Sequence, residues 1–485
     1  MHKRWFFSGA LALVCLQGLA PAQVIVHSTR GTRERGERVL PVGDDAYRLE
    51  VYRGFGITIP KQAVAMIEDP PAPEWRPEAT ALPAKPRLDA TERAALDKLL
   101  ASYFEAADKP DDQAAILATL RQQDTVPAED LASFRSRIWD LARSGRRLAP
   151  GTQRFTHPQF PGEVNVEVVA GDPAGGPLPL FLALHGGGEN NGHWRSGTDM
   201  FTKPARAVWK RGIFVCPSVL HKKYAEWGRN PVEEHYVKEL LKAAKRTWDV
   251  DTDRIYIGGH SMGGYGAWHI GGHQADVFAG VISAAGGILT GKSIGETWGW
   301  GVLGNLRHTP IAFLHGTKDE PSPVWSDQES SRILGELEKV HPLQYRHRYV
   351  ETVNGGHMPP GDKLKELVAW ILEHERNPDP KELTWEPTRS FIKHFYWLRV
   401  EKPAMFQRIE ARIEGNTITV AATRLTGGFS LLLNERLVDL AQPVEVLVNG
   451  RQAFRGHLHP RVSAVLESID DKVDDRLVYT TRIDF

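Results

Sequence analysis

The sequence predicts an α/β fold, a mostly parallel sheet covered by helices on both faces. Three observations carry that expectation. Short apolar, β-branched runs recur between about residues 160 and 377, at 164–169, 180–184, 213–216, 255–258, 281–284, 311–314 and 345–350. Segments with helical patterning, including 231–248 and 363–375, lie between them. Several of the runs end in glycine-rich or polar loops. Alternating strands and helices build a parallel sheet buried on both sides. Such sheets gather ligands at the carboxyl ends of their strands.

The strand at 254–258 runs into Gly259-His260-Ser261-Met262-Gly263, and a helix-compatible stretch, Gly264-Tyr265-Gly266-Ala267-Trp268-His269, follows. This fits G-x-S-x-G in the strand-to-helix setting that exposes a nucleophilic serine, with glycines beside it because a strained turn leaves little room for side chains. A serine hydroxyl needs a base, a group to hold that base, and donors for a developing oxyanion. In the order Ser, acid, His, the downstream candidates are Asp319, after the run 310–316, and His357, in the loop Asn354-Gly355-Gly356-His357-Met358. Glu320 and Asp327 compete for the acid, and His341 and His347 for the base. His341 precedes a proline and His347 sits within a strand pattern, which favours His357. Upstream, the run 178–184 ends in His185-Gly186-Gly187-Gly188. The backbone N–H groups of Gly187 and Met262 are the candidate oxyanion donors.

These residues resemble the α/β-hydrolase superfamily. From about Pro177 to His374 the chain resembles serine esterases related to polyhydroxybutyrate depolymerases and feruloyl esterases, and also the catalytic domain of prolyl oligopeptidase-like enzymes. The motifs that carry this are His185-Gly186-Gly187-Gly188, Asp251-Thr252-Asp253-Arg254-Ile255-Tyr256, Gly259-His260-Ser261-Met262-Gly263-Gly264 and Gly356-His357-Met358. The resemblance implies the α/β-hydrolase fold, a Ser261–His357–Asp319 triad, and ester or amide hydrolysis through an acyl-enzyme. Dienelactone hydrolases share the architecture but are expected to use cysteine where this chain has Ser261. Two alternatives stand beside the esterase reading. One is a prolyl oligopeptidase-like peptidase, for which the N-terminal region is too short to form a seven-bladed propeller. The other is a non-catalytic polymer-binding protein on a hydrolase scaffold.

Around the catalytic segment, expected at 150–377, the chain divides further. Residues 1–22 read as a signal peptide: basic His2-Lys3-Arg4, an apolar stretch to Leu19, and Ala20-Pro21-Ala22 as a cleavage site. This predicts export to the periplasm or beyond, with no stable membrane insertion after cleavage. Residues 23–68 carry short β patterns separated by turn residues and are expected to form a small β-meander. Residues 69–88, with six prolines, are expected to be an extended linker. Residues 89–148 begin with the capping-box pattern Asp89-Ala90-Thr91-Glu92 and contain two apolar stripes, Leu96, Leu99, Leu100, Tyr103 and Leu131, Phe134, Ile138, Leu141, predicting a helical pair. Residues 378–403 read as a linker. Residues 404–485, with β-branched runs at 417–420 and 444–448 and the hairpin turn Asn449-Gly450, read as a C-terminal antiparallel β-sandwich.

Charge excludes more than it suggests. With 60 basic and 60 acidic side chains the net charge is zero, which gives no support for a nucleic-acid partner. Of the two cysteines, Cys15 lies in the expected signal peptide, so Cys216 is left to pack as a small apolar residue. No H-e-x-x-H pattern is present, and Asp251-Thr252-Asp253 reads as a turn before a strand rather than a calcium loop. Neither metal nor organic cofactor is expected; the expected partner is a small-molecule or polymer-borne ester. Trp194, Trp227 and Trp298, with Trp300, fall in loops between core elements and are candidates to line a substrate pocket.

Overall fold

The computed structural model describes residues 24–28, 33–36, 38–42, 46–52, 55–68, 85, 87–169, 176–187, 193–221, 227–228, 230–288, 299–425 and 428–485. The expected signal peptide, most of the proline-rich linker, Gly188 and Trp298 lie outside the described residues.

At the N-terminus two three-stranded antiparallel sheets are present. One pairs β1 (Val24–Ser28) with β2 (Arg33–Gly36) and with β6 (Val64–Glu68). The other joins β3 (Arg38–Val42), β4 (Ala46–Tyr52) and β5 (Phe55–Pro60). Three helices follow: α1 (Ala90–Glu105), α2 (Pro110–Arg121) and α3 (Ala128–Arg143). Asp89 caps α1 reciprocally with Glu92, each side chain accepting the other's backbone N–H at 2.8 and 3.0 Å. The middle helix is an addition to the expected pair. Its apolar set is short, Ile116, Leu117 and Leu120, and of these Leu120 alone is fully buried.

The central sheet comprises β7 (Gly151–Arg154), β8 (Glu163–Val169), β9 (Leu178–Leu184), β10 (Gly212–Pro217), β11 (Val250–His260), β12 (Gly280–Ala284), β13 (Ile311–Gly316) and β14 (His347–Thr352), in the spatial order 14-13-12-11-9-10-8-7. The run from β14 to β10 is parallel, and β8 and β7 add an antiparallel edge. Helices α4 (Asp199–Val208), α5 (Pro231–Thr247), α6 (Met262–His273), α7 (Trp325–Val340) and α8 (Gly361–Ile371) connect the strands. This is the α/β-hydrolase fold. Every residue of β9 is buried because both faces are covered. Leu180, Leu182 and Leu184 join one core with Tyr236 of α5 and Trp268 of α6. Phe181 and Ala183 join the other with Phe201 of α4 and Ile371 of α8. Asp251 to Asp253 belong to β11, where a register shift between Val250 and Ile255 absorbs them, rather than to a turn before it.

The C-terminal region corrects two expectations. Residues 378–403 are not a linker: they contain β15 (Glu382–Trp385), β16 (His394–Phe395) and β17 (Leu398–Arg399), with Trp385, Phe395 and Trp397 buried in the same core as Leu180. Two prolines near residue 380 read as a linker in sequence, but large aromatics just after them need covering. Nor is the remainder purely antiparallel. β18 (Arg408–Glu414), β19 (Thr417–Thr423), β20 (Ser430–Leu433), β21 (Val444–Val448) and β22 (Arg451–Gly456) precede a helix, α9 (Val462–Lys472), and a last strand, β23 (Thr481–Asp484). Sheets of order 15-18-19-21-22 and 16-17-20-23 result, and the β19–β21 pairing is parallel. Helix α9 leaves both sheets and packs Val462, Val465, Leu466 and Ile469 among Leu100, Phe134 and Ile138 of the N-terminal helices.

Buried ion pairs reinforce this docking. Glu467 of α9 accepts from Arg121 of α2 at 2.7 Å and Arg482 of β23 at 2.9 Å, and pairs by charge with Arg399 of β17 at 2.8 Å. Lys472 meets Asp276 at 2.7 Å, Lys238 of α5 meets Asp471 at 2.6 Å, and Arg376 joins Asp474 to Asp253 at 2.8 Å each. Burial opposes ionisation of Glu467, Asp471 and Asp474, but the cations around them prevail and hold all three carboxyls below their ordinary range. A depressed carboxyl contributes stability that is complete above its ordinary value, 3.8 for aspartate and 4.5 for glutamate, and is lost as pH falls through the lower folded-state value. Burial also holds His269 and His394 well below the ordinary 6.5, to about 3 and about 4, so the melting temperature is expected to decline as pH falls from about 6.5 and more steeply below about pH 4 in calorimetry. Glu467→Ala, which leaves three arginines without their shared carboxylate, is expected to cost roughly 3–5 kcal/mol in urea unfolding at neutral pH.

Candidate active site

Four loops at the carboxyl ends of β9, β11, β13 and β14 converge. The turn between β11 and α6 sets the centre. Ser261 has φ 57° and ψ −120°, a conformation that costs a non-glycine residue about 1–3 kcal/mol and persists only when its surroundings impose it. They do: its N–H donates to Ala284 O at 2.8 Å, and its carbonyl accepts from Tyr265 N at 3.0 Å. The flanking glycines are steric requirements. A Cβ on Gly259 would lie 2.2 Å from Gly263 O, and one on Gly263 would lie 2.3 Å from Leu184 O.

The structure brings Ser261, His357 and Asp319 together. His357 Nε2 is 2.8 Å from Ser261 Oγ, and its Nδ1 is 3.0 and 2.9 Å from the two Asp319 oxygens. Asp319 is acceptor-only, so Nδ1 carries the proton and Nε2 is left to accept from the serine hydroxyl. The Asp319 carboxylate is buried, while a quarter of the His357 side chain is exposed (25%), as a base that meets substrate and water requires. Its loop is stapled to that of Asp319: Thr317 N donates to Thr352 O at 3.1 Å, Lys318 N to Gly355 O at 2.8 Å, and Asn354 N to Thr317 Oγ1 at 2.7 Å. His260 adds a clamp, donating from Nε2 to His357 O at 2.8 Å, and burial holds its ring below the ordinary value, in the neutral form.

The rival residues are occupied elsewhere. Asp327 is fully buried and pairs with His315 at 2.8 Å. His341 faces Arg307 at 3.3 Å, His347 lies 3.5 Å from Glu338, and Glu320 is exposed.

The loop after β9 supplies the expected oxyanion side. Gly187 has φ +104°, open to glycine but strained for other residues. The loop is anchored by buried His185, which accepts from Val219 N at 3.2 Å through Nε2 and so donates from Nδ1 to Gly186 O at 2.8 Å. Gly186 N donates to Ser196 O at 2.9 Å, leaving Gly187 as the next backbone donor. Met262 begins α6, where the first-turn N–H has no intrahelical acceptor.

The tryptophans divide. Trp227 is not a pocket wall. It is wholly buried, donates from its indole to His185 O at 3.1 Å and packs edge-on to that ring at 5.2 Å. Beneath it Gly266 is required, since a Cβ there would lie 2.3 Å from Trp227 Cβ. A loop position in sequence does not distinguish an aromatic that folds under the loop from one that faces outward. Trp194 is half-buried against the α4 side of the sheet, with the Arg195 guanidinium 4.8 Å over its ring. Trp300 is buried against Phe406. Cys216 packs in β10, and burial pushes its thiol up to about 12, which leaves it unreactive. Among the described residues no group of three or more His, Cys, Asp or Glu is placed to hold a metal ion, and no helix is long and apolar enough to cross a membrane.

Sequence reasoning missed His260, Tyr265, His315 and Ser322, all in contact with this site. The one signal present for His315 was its place four residues before Asp319, on the strand that presents the acid. Gly263→Ala is expected to abolish labelling of Ser261 by a fluorophosphonate and to lower the melting temperature by several degrees. Gly335→Ala, with nothing within 4 Å of its added Cβ in α7, is expected to leave labelling unchanged and to raise the melting temperature slightly, since alanine favours a helix interior by about 0.5–1 kcal/mol over glycine.

Similarity to known proteins centres on the same region. Residues 220–300, which contain the Ser261 turn, match the prolyl oligopeptidase family. A bifunctional acetylxylan esterase/xylanase of Neocallimastix patriciarum is 26% identical over 225 residues, 44% of this chain and 27% of that protein. The chain thus spans about a quarter of the length of that curated relative. Among solved structures, a thermostable esterase aligns with TM-score 0.37 at 21% identity, over 46% of this chain and 63% of its own. Est1E from Butyrivibrio proteoclasticus aligns with TM-score 0.35 at 14% identity, over 46% and 98%. A putative dipeptidyl aminopeptidase IV from Bacteroides ovatus aligns with TM-score 0.35 at 14% identity, over 46% and 34%. By its sheet order and its strand-to-helix serine turn the chain has the α/β-hydrolase fold, and over part of its length it is similar to an acetylxylan esterase/xylanase and to the prolyl oligopeptidase family.

Proposed function

We propose that the protein is an exported serine hydrolase that cleaves carboxylic esters through an acyl-enzyme, with Ser261, His357 and Asp319 as its triad. The single observation that carries this reading is the unbroken chain of hydrogen bonds from Ser261 Oγ through His357 to the buried Asp319 carboxylate. In the forward step Ser261 Oγ attacks the ester carbonyl carbon as His357 Nε2 takes its proton. The carbonyl oxygen becomes an oxyanion and is met by the N–H groups of Gly187 and Met262. The tetrahedral intermediate collapses, the C–O bond breaks, and the alkoxide leaves with the proton from His357. A water then repeats the sequence on the acyl-enzyme and restores Ser261. Asp319 holds the ring in the required tautomer and stabilises the imidazolium. Every bond made or broken is served by groups of this chain.

Export rests on the sequence of residues 1–22 alone. The acyl group is approached through the relative that carries acetylxylan esterase in its name, so an acetylated polysaccharide is the first substrate to try. A peptidase reading has one specific observation in its favour, the family match over residues 220–300. A panel of nitrophenyl acetate, acetylated xylan, a feruloyl ester and a proline amide separates the two readings.

Ser261→Ala is expected to fold as the wild type does, by circular dichroism and melting temperature, while turnover falls to background; a fully active variant defeats the assignment. Asp319→Asn is expected to lower kcat by about 10³- to 10⁴-fold with the fold intact, because an amide can hold the wrong tautomer.

A further inference from the structure

Behind Asp319 lies a second acid–imidazole pair that the mechanism above does not use. His315, next to last in β13, is 1% exposed, and Asp327, in the first turn of α7, is fully buried. His315 Nδ1 is 2.8 Å from Asp327 Oδ2. His315 Nε2 is 2.6 Å from Ser322 O and 3.3 Å from Asp319 Oδ2. A carbonyl only accepts, so Nε2 carries a hydrogen and the positive end of the pair faces the Asp319 turn.

Ser322 joins the two halves. Its N–H donates to Asp319 Oδ1 at 2.9 Å, and its hydroxyl bonds the Tyr265 phenol at 2.6 Å and Gly286 O at 3.2 Å. The turn from Asp319 to Ser322 is thereby held from inside by His315 and from α6 by Tyr265, one helical turn beyond Ser261. A buried ion pair contributes little net stability over well-packed apolar residues. Among the described residues, however, the His315 ring bonds only to Asp327 and to the turn that carries Asp319, so its placement serves that carboxylate.

We propose that His315, braced by Asp327, is a positioning residue for Asp319, holding the 319–322 turn closed and giving the carboxylate a positive neighbour as it orients His357. The inference rests on the triad reading of the preceding section. Burial disfavours a charged His315, but the hydrogen bond and charge of Asp327, with Ser322 O and Asp319, outweigh it and raise the ring above its ordinary value. Asp327 is itself raised, by burial, against the pull of His315. The pair keeps one proton between its two groups, and in either placement Nε2–H turns its positive end to Ser322 O and Asp319. The other titratable groups facing this pair are His260 on β11, His357 beyond Asp319, and the Tyr349 phenol on β14; the Trp268 indole of α6 lies beside Asp327.

The test uses the full chain and a fluorophosphonate probe, whose reaction with Ser261 is followed between about pH 5 and 9 for the wild type, His315→Gln and Asp327→Asn. Glutamine retains an N–H donor for Ser322 O but no charge. Its maximal inactivation rate is expected to fall at least about tenfold with reversible probe binding unchanged. The acid limb is expected to move to higher pH, because loss of a positive neighbour leaves a more negative field around His357. Asp327→Asn removes the group that holds the His315 proton, so the ring becomes neutral and the limb is expected to move the same way by less; this variant decides alone where His315→Gln does not reach the wild-type circular dichroism. Profiles that superimpose on the wild type overturn the proposal. So does a slower rate with an unmoved acid limb, which marks a packing role only. A wild type that fails to react defeats the nucleophile assignment itself, an outcome separate from the first two.

Discussion

The close approach of three backbones around Ser261 is the constraint on which the site depends. The loop after β9, the turn after β11 and the end of β12 meet within hydrogen-bond and van der Waals range, so Ser261 N reaches Ala284 O and Gly263 sits against Leu184 O. That approach holds only because β9, β11 and β12 are adjacent and parallel in the sheet. Parallel neighbours end at the same side, and their loops therefore converge. The strained serine conformation is held there by a sheet whose strands are buried on both faces, and it places Oγ above the sheet rather than within it.

Around that point the molecule separates two tasks by burial. Asp319 and the groups behind it are removed from water, where hydrogen bonds are strong and orientation is fixed. His357 and Ser261 remain partly exposed, where substrate must reach them. The hydrogen bonds between the two loops that carry acid and base make their separation a property of β13 and β14 pairing rather than of either loop alone.

The N-terminal helices and the C-terminal region are built into the same body. Trp385 and Trp397 share a core with β9, while α9 crosses to the N-terminal helices and is tied there by Glu467 and to the hydrolase by Lys472 and Arg376. Such buried pairs add less to stability than to register: each carboxylate tolerates only the neighbours that neutralise it. They fix where α9 sits against α5 and β11, and so support the face of the sheet opposite to α4 and α8.

The sequence by itself determined the parallel sheet and the position of Ser261, because apolar runs of strand length and a glycine-flanked serine are local patterns with local causes. The chain order of Ser261, Asp319 and His357 singled out the three residues that the fold then links through His357, 2.8 Å from Ser261 and 2.9 Å from Asp319. Tertiary structure alone decided the rest. Helix α2 has only a short apolar set, Ile116, Leu117 and Leu120, and α9 buries its apolar face against residues far earlier in the chain. Trp227 reads as a loop aromatic until His185 and Gly266 are seen beneath it. His315 and Asp327 look like unrelated residues of a strand and a helix, and only the crossing of β13 by α7 makes them a pair. Local periodicity reports which face of an element is apolar; it does not report what that face meets, and the partners of buried polar groups are set by that meeting.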